Sequence, residues 1–253
     1  MIDCQKYADE ILDSITGSGH LAVISVGSDP ASMSYIRGKK KDCERVGFAF
    51  THFQFPEDVQ WCELAHVIGA LNICDHVTGI IVQLPLPDHL EPDSICQLID
   101  PDKDVDGFHP MSPYKPCTPE AIVHLLKREL GDLTGKSATI IGRGKLVGKP
   151  LMQMLLDENM TVTVCHSKTP MDDVFKYTGM SDATIVAIGK ARALDLYPKR
   201  GAVVIDCGVN RDENGKLCGD VKYAFTDRLT PVPRGVGLLT RAMLMKHVEH
   251  KEG

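Results

Sequence analysis

The feature that most constrains this chain is an alternation that runs twice. Short apolar runs of strand length trade places with longer amphipathic runs of helical period, first over residues 21–84 and again from residue 138. That pattern predicts an α/β protein with mainly parallel sheets, because a parallel pair needs a long crossover, usually a helix. In the first half, Leu21–Val26, Ala49–Phe53 and Gly79–Leu84 read as strands. Ala31–Val46 and Val59–Cys74 read as the helices between them, and Ile2–Ile15 is helix-like as well. Asp29-Pro30 opens the helix at Ala31 with a capping residue and a first-turn proline. Prolines then crowd the stretch from Pro85 to Pro119, which predicts loops leaving the sheet. Ala121–Leu130 reads as a connecting helix. In the second half, Ala138–Ile141, Thr161–Cys165, Thr184–Ile188 and Val203–Asp206 read as strands, and Leu239–Val248 as a closing helix.

Charge and cysteine usage remove several function classes. A net charge of −6 argues against general nucleic-acid binding. No apolar run approaches the roughly 20 residues that a membrane helix needs. The start of the chain has no basic stretch followed by an apolar block, so no secretory leader is expected. Nine dispersed cysteines without a C-x-x-C read as reduced thiols in a cytoplasmic protein, with neither a disulfide frame nor a zinc site. No metal site is expected. His247 and His250 have helical spacing, but they sit beside a charged terminus and read as a solvated tail.

The second half opens on a glycine-rich turn. Thr139-Ile140-Ile141-Gly142-Arg143-Gly144-Lys145-Leu146-Val147-Gly148-Lys149-Pro150 reads as strand, turn and helix start. Gly142 and Gly144 would let the backbone approach a pyrophosphate, and Gly148 would let the helix pack on the sheet. The spacing is G-x-G-x-x-x-G, one residue longer than the common dinucleotide fingerprint. An NAD site usually places an acidic residue at the end of the next strand. Here that end reads Cys165-His166-Ser167-Lys168, and Arg143 lies in the turn. A hydroxyl with two cations suits a 2′-phosphate, which favours NADP over NAD.

A second set of residues belongs to the first half. Tyr35 and Lys39 are four apart, so a helix puts them on one face. Gln83 and Asp106 close later segments. An aromatic platform, an amine, an amide and a carboxylate can together hold a flat, hydrogen-bonding ring and move a proton beside it.

Motifs across nearly the whole chain carry a resemblance. They are Val26–Ser32, Ser34–Lys41, Val82–Pro87, Lys103–Gly107, Pro116–Pro119, Gly142-Arg143 with Val147-Gly148, Cys165–Thr169, Val204–Asn210 and Thr230–Pro233. In this order they resemble the bifunctional methylenetetrahydrofolate dehydrogenase/methenyltetrahydrofolate cyclohydrolase family, the FolD type. The resemblance implies two reactions of one-carbon metabolism at one folate site. The first oxidises 5,10-methylenetetrahydrofolate to the methenyl cation with NADP. The second hydrolyses that cation to 10-formyltetrahydrofolate. It also implies the residue roles. Lys39 would be the catalytic lysine and Gln83 its orienting partner. Tyr35 would pack on the aminobenzoyl ring, and Asp106 would accept from the pterin. Pro231, Pro233 and Gly235 would lie along the substrate. Gly142, Arg143, Gly144, Val147, Gly148, His166, Ser167, Lys168, Gly208 and Val209 would bind the cofactor. The implied organisation is a folate-binding domain over residues 1–130, completed by about 237–253, and a Rossmann-type domain over 131–236. The C-terminal helix would return to the first domain, with both ligands between the two. A homodimer is implied by the family alone.

Three features depart from the family pattern. Gly144 stands where the turn usually has serine. The usual Pro-Val-Pro-Gly-Gly-Val-Gly-Pro-Met-Thr is here Pro231-Val232-Pro233-Arg234-Gly235-Val236-Gly237-Leu238-Leu239-Thr240. The chain also begins within a helix-like segment, without the strand-like lead-in of many relatives. If the position of Arg234 needs a left-handed backbone, arginine there either costs roughly 1–2 kcal/mol or reshapes the loop. The rival readings are a cyclohydrolase that no longer oxidises, a non-catalytic folate-binding paralogue, and a dehydrogenase of an unrelated small molecule.

Overall fold

The computed structural model describes residues 1–250. In chain order its first elements are α1 (Cys4–Asp13), β1 (His20–Val26), α2 (Pro30–Val46), β2 (Ala49–Phe55), α3 (Trp61–Asn72), β3 (Gly79–Val82) and α4 (Pro92–Cys96). A 3-10 turn at Pro101–Lys103 leads to α5 (Cys117–Leu130), β4 (Ser137–Ile141), α6 (Gly148–Asp157), β5 (Thr161–Cys165), α7 (Met171–Met180) and β6 (Ala183–Val186). Then follow β7 (Leu194–Leu196), β8 (Val203–Asp206), β9 (Asn210–Arg211), β10 (Leu217–Cys218), β11 (Val221–Ala224) and α8 (Val236–Val248). The chain divides into two compact units. One is Asp9–Cys117 with the chain from Arg241 on; the other is Met1–Ala8 with Thr118–Thr240.

The first unit is built on a parallel sheet in the order β2-β1-β3. Leu21, Ala22, Val23 and Ile24 of the central strand are fully buried. A continuous apolar run is what a parallel strand covered on both faces requires. Ile24, Leu64, Ile68 and Ile80 anchor one cluster of this core. Helix α2 begins where the sequence places it: the Asp29 carboxylate accepts from Ser32 N at 2.7 Å, and Pro30 occupies the first turn. Strand β3 stops at Val82, two residues short of expectation, just before the proline-rich exit that starts at Pro85.

The second unit holds a four-stranded parallel sheet in the order β5-β4-β6-β8. The chain leaves β4 to one side for β5, then crosses to the other side for β6. The strand order therefore reverses at β4, and the C-terminal ends of its neighbours border the switch point where open α/β sheets take their ligands. Two small additions escaped the sequence reading: the parallel pair β7–β11 and the antiparallel pair β9–β10. Segments of two to four residues carry too little periodicity to be recognised.

Two buried carboxylates tie these additions down. Asp220 has no exposed surface and accepts from the backbone N–H groups of Ile188, Gly189 and Lys190, at 2.7, 3.0 and 2.8 Å. Its Oδ1 also accepts from Asn210 Nδ2 at 2.8 Å. Asp206, at the end of β8, accepts from the N–H groups of Gly208, Asp220 and Val221. Burial pushes the Asp206 carboxyl above the usual carboxylate range, and those three donors hold it down in part.

Candidate active site

The geometry of the first unit centres on Lys39. It lies on α2 with 6% of its surface exposed, while its neighbours Lys40 and Lys41 are exposed. Its Nζ donates to Gln83 Oε1 at 3.0 Å. The sheet fixes the other partner. Gln83 follows β3, and its backbone N–H donates to Ile24 O at 2.8 Å. Its Nε2 donates to Leu84 O at 2.9 Å, which turns the amide oxygen toward the amine. Loss of solvent around Lys39 is the main effect that lowers its pKa, and the Asp106 carboxylate pulls it upward.

Asp106 is half-buried on the loop after the 3-10 turn. That loop is held by its other aspartate. Asp104 is buried and accepts from His109 N at 2.6 Å, and burial raises its pKa above the usual carboxylate range. Tyr35 is half-buried on α2, one helical turn before Lys39. The unit thus brings Lys39 and Gln83 into direct contact and sets the Asp106 charge near the amine.

One expectation for this unit fails. His247 is not part of a solvated tail. Its Nδ1 bonds Val105 O at 2.8 Å, and its ring stacks on Tyr114 with centroids 4.8 Å apart. Cys117 Sγ reaches the same carbonyl at 3.2 Å. The histidine gives no local sign of this because its partners lie 130 or more residues away in the chain.

In the second unit the glycine turn sits at the C-terminal end of β4. Gly142 has φ 121°, and an added β-carbon would collide with the Ala187 carbonyl. At Gly148, the first residue of α6, a β-carbon would meet the Gly142 carbonyl carbon at 2.9 Å. These two glycines bring the turn, the helix start and the end of β6 together. Gly144 differs: its backbone is unstrained and the space around its α-carbon is open. Serine should therefore be accepted there. Gly144→Ser is expected to leave thermal stability unchanged within about 0.5 kcal/mol. A larger loss in a melting experiment would show a constraint that the turn does not display.

Arg143, Gly144, Ser167 and Lys168 are exposed, while Val147 and His166 are half-buried. The turn after β5 is closed by His166 N donating to Thr169 Oγ1 at 3.0 Å and Lys168 N donating to His166 Nδ1 at 3.2 Å. Gly208 is packed so closely on Asp220 that a β-carbon would lie 2.6 Å from its carboxyl carbon, and Val209 beside it is 59% exposed. The ends of β4, β5 and β8 thus carry all ten residues assigned to a cofactor.

Pro231, Pro233 and Gly235 belong to this unit too, in the loop before α8. Arg234 between them has φ 70°, so the loop keeps a left-handed residue there and the arginine bears the cost. Arg234→Gly is expected to stabilise the protein by about 1 kcal/mol. That corresponds to a rise of about 2–4 °C in melting temperature for a chain of this size. An unchanged or lower melting temperature would contradict this.

Residues 3–106 match the family model of the tetrahydrofolate dehydrogenase/cyclohydrolase catalytic domain. Residues 116–252 match that of the same family's NAD(P)-binding domain. The chain is 50% identical to the bifunctional protein FolD of Lachnoclostridium phytofermentans, over 98% of this chain and 95% of that protein. It is 48% identical to the bifunctional protein FolD of Bacillus anthracis, over 89% of this chain and 83% of that one. The crystal structure of the bifunctional FolD methylenetetrahydrofolate dehydrogenase/cyclohydrolase of Campylobacter jejuni superposes with a TM-score of 0.86 at 39% identity, covering 97% of this chain and 95% of that one. The Trypanosoma brucei methylenetetrahydrofolate dehydrogenase-cyclohydrolase, complexed with NADP and an inhibitor, gives 0.86 at 29% identity, covering 98% and 95%. With both of its domains matched in order, the chain belongs to the tetrahydrofolate dehydrogenase/cyclohydrolase family.

Proposed function

We propose that this protein oxidises 5,10-methylenetetrahydrofolate with NADP and hydrolyses the methenyl product to 10-formyltetrahydrofolate. The observation that carries the reading is the buried Lys39 amine held 3.0 Å from the Gln83 amide oxygen. An unperturbed lysine, with a pKa of about 10.4, is too fully protonated to act as a base near neutrality. Burial lowers that value here, and a cationic folate lowers it further. Lys39 then accepts a proton as water adds to the methenyl carbon, and Gln83 keeps the amine aimed. Tyr35 offers a ring face for the aminobenzoyl group. Asp106 supplies an acceptor pair for the pterin's ring N–H and amino group.

The second unit fits a dinucleotide. Gly142 and Gly148 let the turn, the start of α6 and the end of β6 pack into one close wall at the switch point of the sheet. Gly144, Val147, Gly208 and Val209 extend that wall, and His166 closes the turn after β5. Arg143, Ser167 and Lys168 offer two cations and a hydroxyl to a 2′-phosphate, and no acidic residue stands at the end of β5. When bound, NADP supplies the acceptor for the hydride of the methylene bridge. Pro231, Pro233 and Gly235 would line the substrate.

Nine cysteines outside any disulfide suit a reducing compartment, so a cytoplasmic location is part of the proposal. A homodimer, as in the family resemblance, is the other part and is read by light scattering. No helix among the described residues is long and apolar enough to cross a membrane. The hydrolytic half has a direct test. Added methenyltetrahydrofolate should lose its absorbance faster than in buffer, with a rate that rises with pH as Lys39 loses its proton. A rate equal to buffer across the pH range would defeat the proposal.

A further inference from the structure

Helix α2 carries a glycine one residue before Lys39. Glycine inside a helix costs about 1 kcal/mol relative to alanine. Gly38 has no positive φ to justify it. What it does is make room. A β-carbon there would lie 2.8 Å from Arg241 Cζ and closer still to its Nη1. The guanidinium of α8 is therefore laid against the α2 backbone beside Lys39. It is held there by Asp42, whose Oδ2 accepts from Arg241 Nε at 2.6 Å. Both side chains are mostly buried, 21% and 13% exposed, so the pair is poorly screened by solvent. Three residues on two helices thus fix one cation against the α2 backbone, one residue before Lys39: Gly38 admits it, Asp42 anchors it and Arg241 supplies it.

We propose that Arg241, seated over Gly38 and anchored on Asp42, is a positioning residue that keeps the Lys39 amine ready to accept a proton. The argument is electrostatic. A fixed like charge disfavours the ammonium form of a neighbouring lysine. Arg241 acts on Lys39 in that direction. The other charged and titratable groups around Lys39 are Asp106 from the loop after the 3-10 turn, whose carboxylate favours the ammonium, and the thiols of Cys117 from α5 and Cys43 from α2, the latter pushed up to about 12 by burial and so uncharged. His247 of α8 lies 3.5 Å from Cys117 Sγ, and Gln83 adds a neutral acceptor. Arg241 is the group in this set that counters the Asp106 carboxylate. The inference rests on the proposed role of Lys39.

The test combines the pH profile of methenyl hydrolysis with lysine NMR on the full chain. In Arg241→Met, the acid limb of kcat/KM should move to higher pH by at least about half a unit. The loss at neutral pH should be recovered in alkaline buffer, and KM for the folate should change little. Arg241→Lys keeps the charge and should keep most of the limb's position. Asp42→Asn combined with Arg241→Met removes the pair without leaving a lone buried carboxylate, and should shift the limb in the same direction by a smaller amount. The titration of Lys39 itself, followed by its side-chain carbon resonance without substrate, should move upward by the same amount. A folded Arg241→Met or double variant whose Lys39 titrates as in the parent overturns the inference. If the parent hydrolyses nothing, the role of Lys39 falls, and the NMR titration still decides what Arg241 does to the amine.

Discussion

Replacing Lys39 by alanine is expected to slow methenyl hydrolysis by about 10²- to 10⁴-fold, the range for loss of a positioned general base. Folate binding should remain measurable, because the contacts proposed for Tyr35 and Asp106 do not involve the amine. The size of the effect follows from the site. The amine is buried and Gln83 holds it from a sheet-anchored backbone, so it cannot be replaced by the exposed Lys40 or Lys41. Lys39→Met preserves bulk and separates a packing effect from a chemical one. Both variants should lose hydrolysis alike, measured as decay of methenyl absorbance. Full hydrolysis in either would remove Lys39 from the mechanism.

The largest structural effect is expected at Asp220. Four donors converge on this fully buried carboxylate: three consecutive backbone N–H groups and the Asn210 amide. Asp220→Ala strips their acceptor without giving water access. Each buried donor left unsatisfied costs about 1–3 kcal/mol, so a loss of at least about 3 kcal/mol is expected even with relaxation. The melting temperature should fall by roughly 6–12 °C. Residues 188–190 leave β6 at the same edge of the sheet as the glycine turn, so NADP affinity should fall as well. A variant that melts within 2 °C of the parent would show that the carboxylate is not what holds this loop.

These two residues also mark what the sequence makes legible. Lys39 stands out in the sequence by its helical spacing from Tyr35, in a helix opened by Asp29-Pro30, and its catalytic role is what the family resemblance implies. Strands β5 and β8 span the residues the sequence indicates: β8 is fully buried and reads as a nearly continuous apolar run, whereas the edge strand β5 shows itself by alternating threonine and valine. Asp220 gives no such sign. Three of its partners are backbone N–H groups 30–32 residues upstream, which any residue type but proline could supply. The Arg241–Asp42 pair spans 199 residues, and Gly38 looks like a weak point in α2 until the guanidinium is seen. The glycine turn was legible in part. Gly142 and Gly148 are required by close backbone approach, whereas Gly144 is glycine without a steric reason. Arg234 shows the reverse: a left-handed position filled by a residue that does not favour it.

The claim that one protein performs both reactions is tested most directly by one incubation. Purified protein is given 5,10-methylenetetrahydrofolate with NADP or with NAD, and reduced cofactor, methenyl and 10-formyl products are followed together. The account predicts reduction of NADP in preference to NAD, followed by 10-formyltetrahydrofolate. No reduction with either cofactor, while added methenyltetrahydrofolate is still hydrolysed, would contradict it and leave a cyclohydrolase alone.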